Sequence, residues 1–402
     1  MTEKKGKAKK RRTHPSAMPK GVEQLCWLAQ GLSRSGSRAE DQWWERQLVQ
    51  SVRTLFDEGD DQPVQLALEH LFRSDDSAYG ELLDVVESEA EMVQVGEKVL
   101  LLVAAPVLAW SRYSVPVKTI PPAVLEQLRT LLSSHIFAPG VHFALADYLF
   151  SPDQLPDSYL ATRRFLLGMA ETAAGNGTFA IDGQQLPQTM NFLSDIRYLL
   201  IAALVHPDEP IFRWHIPGCQ RDQAYADWRK RVLPIFERLL IGCGIEIDQP
   251  DALFTASRKA SQYARLFAIF AAIAYLATEF DIGAGQLRAV IAPCEGSGDF
   301  EFRIGLCLKP TERVVHGLSW PLLASNETEE EAIDEILKTL RESGVTDTLV
   351  LRRTLPLEFC EDCGAPLFPN PKGELVHVQS PDDETGDDEP LGHGKNPPRY
   401  LH

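Results

Sequence analysis

"FEFRIGLCL", Phe300 to Leu308, alternates along its whole length. Phe300, Phe302, Ile304, Leu306 and Leu308 fall on one face of an extended chain, and Glu301, Arg303 and Cys307 on the other. "QLRAVIAP" (Gln286–Pro293) precedes it and "RVVHGLSW" (Arg313–Trp320) follows it, each across a short polar or glycine-rich turn. Three such runs in sequence predict an antiparallel meander, so the sheet that contains them is not a purely parallel one.

Outside the meander a looser unit recurs three times: apolar strand, loop, amphipathic helix, glycine stop, extended segment. The first copy is "KVLLLVAAPVLAW", a break at "IPP", "AVLEQLRTLLSSHIF", Gly140 and "VHFALADYLF". The second is "IRYLLIAALV", "PIFRW", "AYADWRKRVLPIFERLLI" and "GCGIEID". The third is "RVVHGLSWPLL", "ETEEEAIDEILKTLRES", Gly344 and "DTLVLRRTL". In this last helix Thr328 and Glu331 form a capping box, three glutamates sit in the first turn, and Gly344 stands where a C-cap is needed. Strand–helix–strand units predict parallel neighbours joined by crossovers.

Upstream the texture is helical. Val22, Leu25, Leu28, Ala29 and Leu32 share one helix face. Trp44, Leu48, Val52, Leu55 and Phe56 form the next stripe, behind a Ser37–Glu40 capping box. Pro63 opens a third helix and Ser77–Glu91 makes a fourth. Of the adjacent Trp43 and Trp44, one ring is expected in the core and the other half-buried; a binding surface is the second reading of the pair.

The chain has 402 residues, 44% hydrophobic and 24% charged, an ordinary balance for a globular protein with two or three domains' worth of core. Its net charge of −17 is uneven. Residues 1–12 hold seven Lys/Arg against Glu3, a net +6, which leaves −23 for the rest. An acidic body repels nucleic-acid phosphates, so only "KKGKAKKRR" (Lys4–Arg12) is a candidate contact to RNA. The expected partner is a protein. No apolar stretch follows the basic start as in a signal peptide, and the longest apolar runs, Val99–Trp110 and Leu266–Ala277, are 12 residues each, too short to span a bilayer. Seven scattered cysteines argue against a disulfide scaffold. A cytoplasmic setting without membrane contact is expected.

"LLLVAAPVLAWSRYSVP", "FALADYLFSPDQLP", "DIRYLLIAALV", "LRAVIAPC", "EFRIGL" and "LEFCEDCGAPLFPNPKGELVH" together resemble a family of cytosolic proteins from beta-proteobacteria, catalogued only as a domain of unknown function. The resemblance runs from about Gly21 to His377. It implies a bacterial cytoplasmic protein and supplies no activity, cofactor or catalytic residue.

"FCEDCGAPLFPNPKGELVH" (Phe359–His377) carries the one motif with metal chemistry. Cys360 and Cys363, two residues apart and followed by Gly364, are spaced like half of a zinc ribbon. No second Cys-x-x-Cys follows at ribbon distance. His377 lies 14 residues after Cys363, beyond an "NPKG" turn that can bring it back, and is the expected third ligand. His393, His402, Cys294 and Cys307 are weighed for the fourth position. A structural zinc and a metal-free turn held by its own hydrogen bonds both remain open. Phosphate-loop, His-Glu-x-x-His and Gly-x-Ser-x-Gly signatures are absent. "CEGSGDF" (Cys294–Phe300) with His316 on the next strand is the one thiol–carboxylate–imidazole combination that supports an enzyme of hydrolase type.

The fold expected is therefore α/β, with α+β as the variant: a mixed sheet, an N-terminal helical layer and a small C-terminal knuckle. The expected segments are a disordered basic tail (1–18), a helical region (19–95), an α/β core (96–358), the knuckle-like hairpin (359–378) and a disordered acidic tail (379–402). The function expected is a non-enzymatic protein-interaction or regulatory module, with zinc stabilisation as one of the two readings of its knuckle; the alternative is a hydrolase-like enzyme with its site near Cys294–Asp299 and His316.

Overall fold

The computed structural model describes residues 19–112, 115–116, 118–189, 193–296, 300–323 and 327–381. The basic run Lys4–Arg12, the loop Ser297–Asp299, and His393 and His402 lie outside the described residues. The chain divides into two compact units after Ala90.

The first unit is helical: α1 (Lys20–Ser33), α2 (Arg38–Glu58), α3 (Gln62–Ser74) and α4 (Asp76–Glu91). Its core is the stripe read from the sequence, Val22, Leu25, Leu28 and Ala29 against Leu48, Val52 and Phe56. The Ser37 hydroxyl accepts from the Glu40 amide, while the Glu40 carboxylate reaches back to the Gly36 amide rather than to the cap residue. The tryptophans depart from expectation. Trp44 is half-buried and Trp43 is 48% exposed, so neither ring is core. The cause is position: the buried stripe of α2 begins one turn later at Leu48, and Trp44 lies across Gly31 of α1, where a Cβ would stand 2.5 Å from the ring.

The second unit is mixed α/β, built on two sheets. In the first sheet the long strand β2 (Lys98–Trp110) pairs antiparallel with β6 (Ser194–Val205), which pairs antiparallel with β4 (His142–Phe150). The other edge of β2 carries three short partners in turn: β1 (Met92–Val95), β8 (Asp251–Ala252) and β7 (Gly244–Ile247). The other edge of β4 carries β3 (Lys118–Thr119) and β5 (Thr178–Phe179). Here the expectation of adjacent parallel strands needs correction. In the first copy β2 and β4 run parallel with β6 between them, and in the second β6 and β7 run parallel with β2 between them. Two split strand–helix–strand units thus interleave, as in a β-α-β-β-α-β arrangement. The connecting helices α5 (Pro122–Leu131) and α8 (Arg221–Leu239) cover one face, where Leu125, Leu128, Trp228 and Phe236 meet Val103, Leu145 and Ile201. The opposite face, with Leu102, Ala144 and Leu200, packs against α6 (Tyr159–Gly168), α7 (Ala170–Ala174) and the start of α9 (Leu253–Phe280).

Proline is rare in the middle of a central strand, yet Pro106 sits there in β2. Its carbonyl accepts from the Asp248 amide. The N and O of one strand residue point to the same edge, so the missing N–H falls where the ladder already breaks between β7 and β8.

The meander forms the second sheet as read. β9 (Leu287–Glu295), β10 (Phe300–Leu308) and β11 (Arg313–Pro321) are successive antiparallel neighbours, and β12 (Asp347–Val350) and β13 (Leu355–Pro356) add parallel to β9. Phe302, Ile304 and Leu306 face α9 and α10 (Glu329–Glu342). The Thr328–Glu331 box at the start of α10 forms as expected. α9 explains how the sheets are joined: Leu253, Ala256 and Ala260 belong to the first core, and Ala268, Ile269, Ala272 and Leu276 to the second. The apolar run Leu266–Ala277 is therefore only part of a 28-residue helix, which is long and apolar enough by length and composition to cross a membrane.

Candidate functional site

The knuckle lies on the open face of the second sheet. Its hairpin pairs β14 (Phe368–Pro369) with β15 (Leu375–Val376). The "NPKG" turn works as its residues suggest: Asn370 Oδ1 accepts from the Lys372 and Glu374 amides, and Gly373 supplies φ +78°. Two glycines admit the hairpin to the sheet. A Cβ on Gly305 would lie 2.2 Å from the Pro369 carbonyl oxygen, and one on Gly317 would lie 2.2 Å from the Phe368 ring.

The polar face of "FEFRIGLCL" supplies the anchor. Arg303 is fully buried, and its Nη1 donates to the carbonyls of Glu358 (2.5 Å) and Leu367 (2.6 Å), one on each side of the Cys-x-x-Cys turn. Its Nε donates to Glu301 at 2.8 Å, and its guanidinium lies 4.9 Å from the centre of the Phe359 ring.

At the knuckle itself Cys360, Cys363 and His377 come together, each offering one donor atom within 4.8 Å of the others. Cys363 Sγ lies 3.9 Å from His377 Nε2. Zinc bond lengths give tetrahedral ligand edges of roughly 3.5–3.8 Å. Gly364 takes the left-handed φ of +71° while its amide donates to the Cys360 carbonyl, and the Cys360 amide donates to Ala365. A hydrogen bond to His377, helped by the Cys363 and Asp362 amides, lowers the Cys360 thiol to about 7. Two sulfurs and an imidazole of this geometry are a donor set that could hold a metal ion, zinc among them. Among the described residues no fourth His, Cys, Asp or Glu joins the group. Cys294 and Cys307 are buried in β9 and β10 and stand outside it.

The thiol–carboxylate–imidazole combination does not assemble. Cys294 packs with Ala292 and Leu355 on the knuckle face of the sheet. His316 pairs with Leu306 on the opposite face, beside Tyr275 of α9 at 5.9 Å between ring centres. Burial pushes the Cys294 thiol up to about 11 and the His316 imidazole down to about 4, so neither is poised as nucleophile or base. Of the expected carboxylates, Asp299 lies outside the described residues.

Beside the knuckle opens a cleft of about 600 Å³. Phe359, Gly364, Pro366 and Phe368 form its knuckle wall, and Ile196, Ala264, Arg265 and Ser319 line it from the two sheets and α9. In the helical unit three rings cluster: Trp44 packs edge-on against both Trp27 (4.9 Å) and Trp43 (4.8 Å). Trp27 is 55% exposed. Arg303 and Phe359 are the residues that sequence reading did not single out. The signal was present in Arg303, a charged residue in mid-strand between apolar neighbours.

A family model matches residues 10–390, which takes in both sheets, α9 and the whole knuckle. The chain belongs to family DUF2863. That family is described as a protein of unknown function, so membership adds no activity to the geometry. No curated protein and no solved structure matches the chain.

Proposed function

We propose that this DUF2863 protein is a non-enzymatic, cytoplasmic protein-interaction module whose knuckle is fixed by a structural zinc ion. The observation that carries this reading is the shared wall. Residues that flank and follow the two cysteines, Phe359, Gly364, Pro366 and Phe368, also line the cleft of about 600 Å³. A metal on Cys360, Cys363 and His377 would hold the Phe359–Pro366 loop closed, and with it one side of a mainly apolar binding surface. The exposed Trp27 and Trp43 give a second apolar patch of the kind that anchors protein partners. The acidic body favours a protein over a nucleic acid. Separation of Cys294 from His316 removes the geometry on which the hydrolase reading rested.

The test is a cross-linking capture with the full chain and the Cys360→Ser/Cys363→Ser double variant, matched for folding by circular dichroism. The module reading expects proteins that are recovered by the wild type and lost by the variant. Identical recoveries would refute a knuckle-dependent binding surface.

A further inference from the structure

A second cleft, remote from the metal-ligand cluster in sequence and on other elements, lies between α8, β7 and α9. Its volume is about 360 Å³, in the range of small-molecule sites. Tyr225 of α8 and Tyr263 and Phe270 of α9 line it. Both α9 rings are exposed, Tyr263 at 53% and Phe270 at 41%, on a helix whose buried residues pack into two cores.

Asp248 also lines this cleft, and it is the anomaly. The residue is only 6% exposed. Its Oδ1 accepts from the Gln249 amide at 2.7 Å, but its Oδ2 is buried with no hydrogen-bond partner. The neighbouring cations are engaged elsewhere: Arg229 pairs with Glu246, and Lys259 with Asp251 at 3.0 Å. Among the described residues no cation lies within ion-pair distance of Asp248. Buried carboxylates ordinarily have a partner, because desolvation of an unpaired charge is expensive. Burial accordingly raises the Asp248 carboxyl above its usual range, and the Tyr225 hydroxyl, which donates to the Ile247 carbonyl at 2.7 Å, is pushed up to about 12 by burial first and by Asp248 second.

We infer that this cleft binds a primary organic ammonium ion carrying an apolar or aromatic substituent, with the uncompensated Asp248 carboxylate in the cleft wall as its counter-charge. The aromatic rings suit the rest of the ligand in two ways. Their faces attract a cation, and their area shelters an apolar substituent from water. A bare metal ion would suit the carboxylate but leave the rings unused. A carboxylic acid would place a second negative charge against the first. The Arg229–Glu246 pair contributes no net charge, so the unpaired carboxylate sets the sign of the site.

The experiment is isothermal titration of the full chain with phenethylamine and, in parallel, with its neutral analogue 2-phenylethanol. Phenethylamine should bind at least tenfold more tightly than the alcohol. Asp248→Asn, which keeps shape but removes the charge, should bring the two within about twofold. Tyr263→Ala, at an exposed ring whose loss leaves the fold intact, should weaken phenethylamine several-fold and serves if the Asn variant does not fold. Equal affinity for amine and alcohol, absence of binding by either, a preference that survives in Asp248→Asn, or amine binding unchanged in Tyr263→Ala would each overturn the inference.

Discussion

Arg303 donates to the Leu367 carbonyl at 2.6 Å, so a charge buried in β10 holds the knuckle against the sheet. The same Nη1 holds Glu358 on the other side of the Cys-x-x-Cys turn, and Nε pairs with Glu301. Replacing Arg303 by Met would remove the donor to the Leu367 carbonyl, and would leave the Glu358 carbonyl with the Leu367 amide at 3.2 Å and the Glu301 carboxylate with the Ser319 hydroxyl at 3.3 Å. The expected loss is about 3–5 kcal/mol, the range for breaking a buried ion pair from one side. Arg303→Lys should rescue little, because an ammonium cannot reproduce the fork. Urea unfolding of both variants checks this, and a loss below about 1 kcal/mol in Arg303→Met would refute the anchoring role.

The glycines beneath the hairpin give a steric test. Gly317→Ala must move the Phe368 ring, and Gly305→Ala must move the backbone at Pro369. Each should destabilise by about 1–3 kcal/mol, the usual scale of overpacking. Gly80→Ala in α4 meets nothing within 4 Å and should instead stabilise by roughly 0.5–1 kcal/mol. Thermal melts of the three variants order them. A neutral Gly317→Ala would mean that the hairpin is not seated where described.

His316 makes the protein acid-sensitive in a definite window. Burial against α9 depresses its imidazole to about 4, while in the unfolded chain it titrates near the ordinary value of about 6.5. Above that value both states are neutral and the residue adds no pH dependence. As pH falls from about 6.5 towards 4, the unfolded state takes up a proton that the folded state refuses, and stability drops by up to about 3 kcal/mol. Urea midpoints at pH 7.5, 5.5 and 4.5 should fall more steeply for the wild type than for His316→Leu. Parallel slopes would show that His316 is not held neutral.

The tryptophan patch separates binding from stability. Because Trp27 and Trp43 are each about half exposed, the Trp27→Ala/Trp43→Ala variant should lose far less than the ~3–5 kcal/mol typical of a core tryptophan, while losing captured partners. Calorimetry and the capture experiment read the two effects. Partners fully retained by a folded double variant would exclude this patch from the interface.

Much of the second sheet was legible because its middle strand, β10, has one apolar face and one largely polar one. The period-2 pattern of Phe300–Leu308 fixes both the strand and the side that meets α9. The first sheet was harder. β2 and β6 are buried on both faces, so their sequences are continuous apolar runs that reveal a strand but not its neighbours. Interleaving of the split units, with β6 between β2 and β4, depends on long-range pairing that no local period records. For the same reason α9 was underestimated: its first turns pack on one core and its last on the other, and Arg265 between them interrupts the apolar run. At the site, the Cys360–Cys363–His377 grouping followed from spacing and a turn. The Arg303 contacts did not, because they join residues 55 and 64 positions apart.

Elemental analysis of protein purified without chelator, with the Cys360→Ser/Cys363→Ser variant beside it, decides whether the knuckle holds zinc. A structural zinc on Cys360, Cys363 and His377 requires about one zinc per wild-type chain and none in the variant. Wild-type protein that carries no zinc, and takes up none when it is supplied, would rule out the zinc site and leave the knuckle held by Arg303 and its own turn alone.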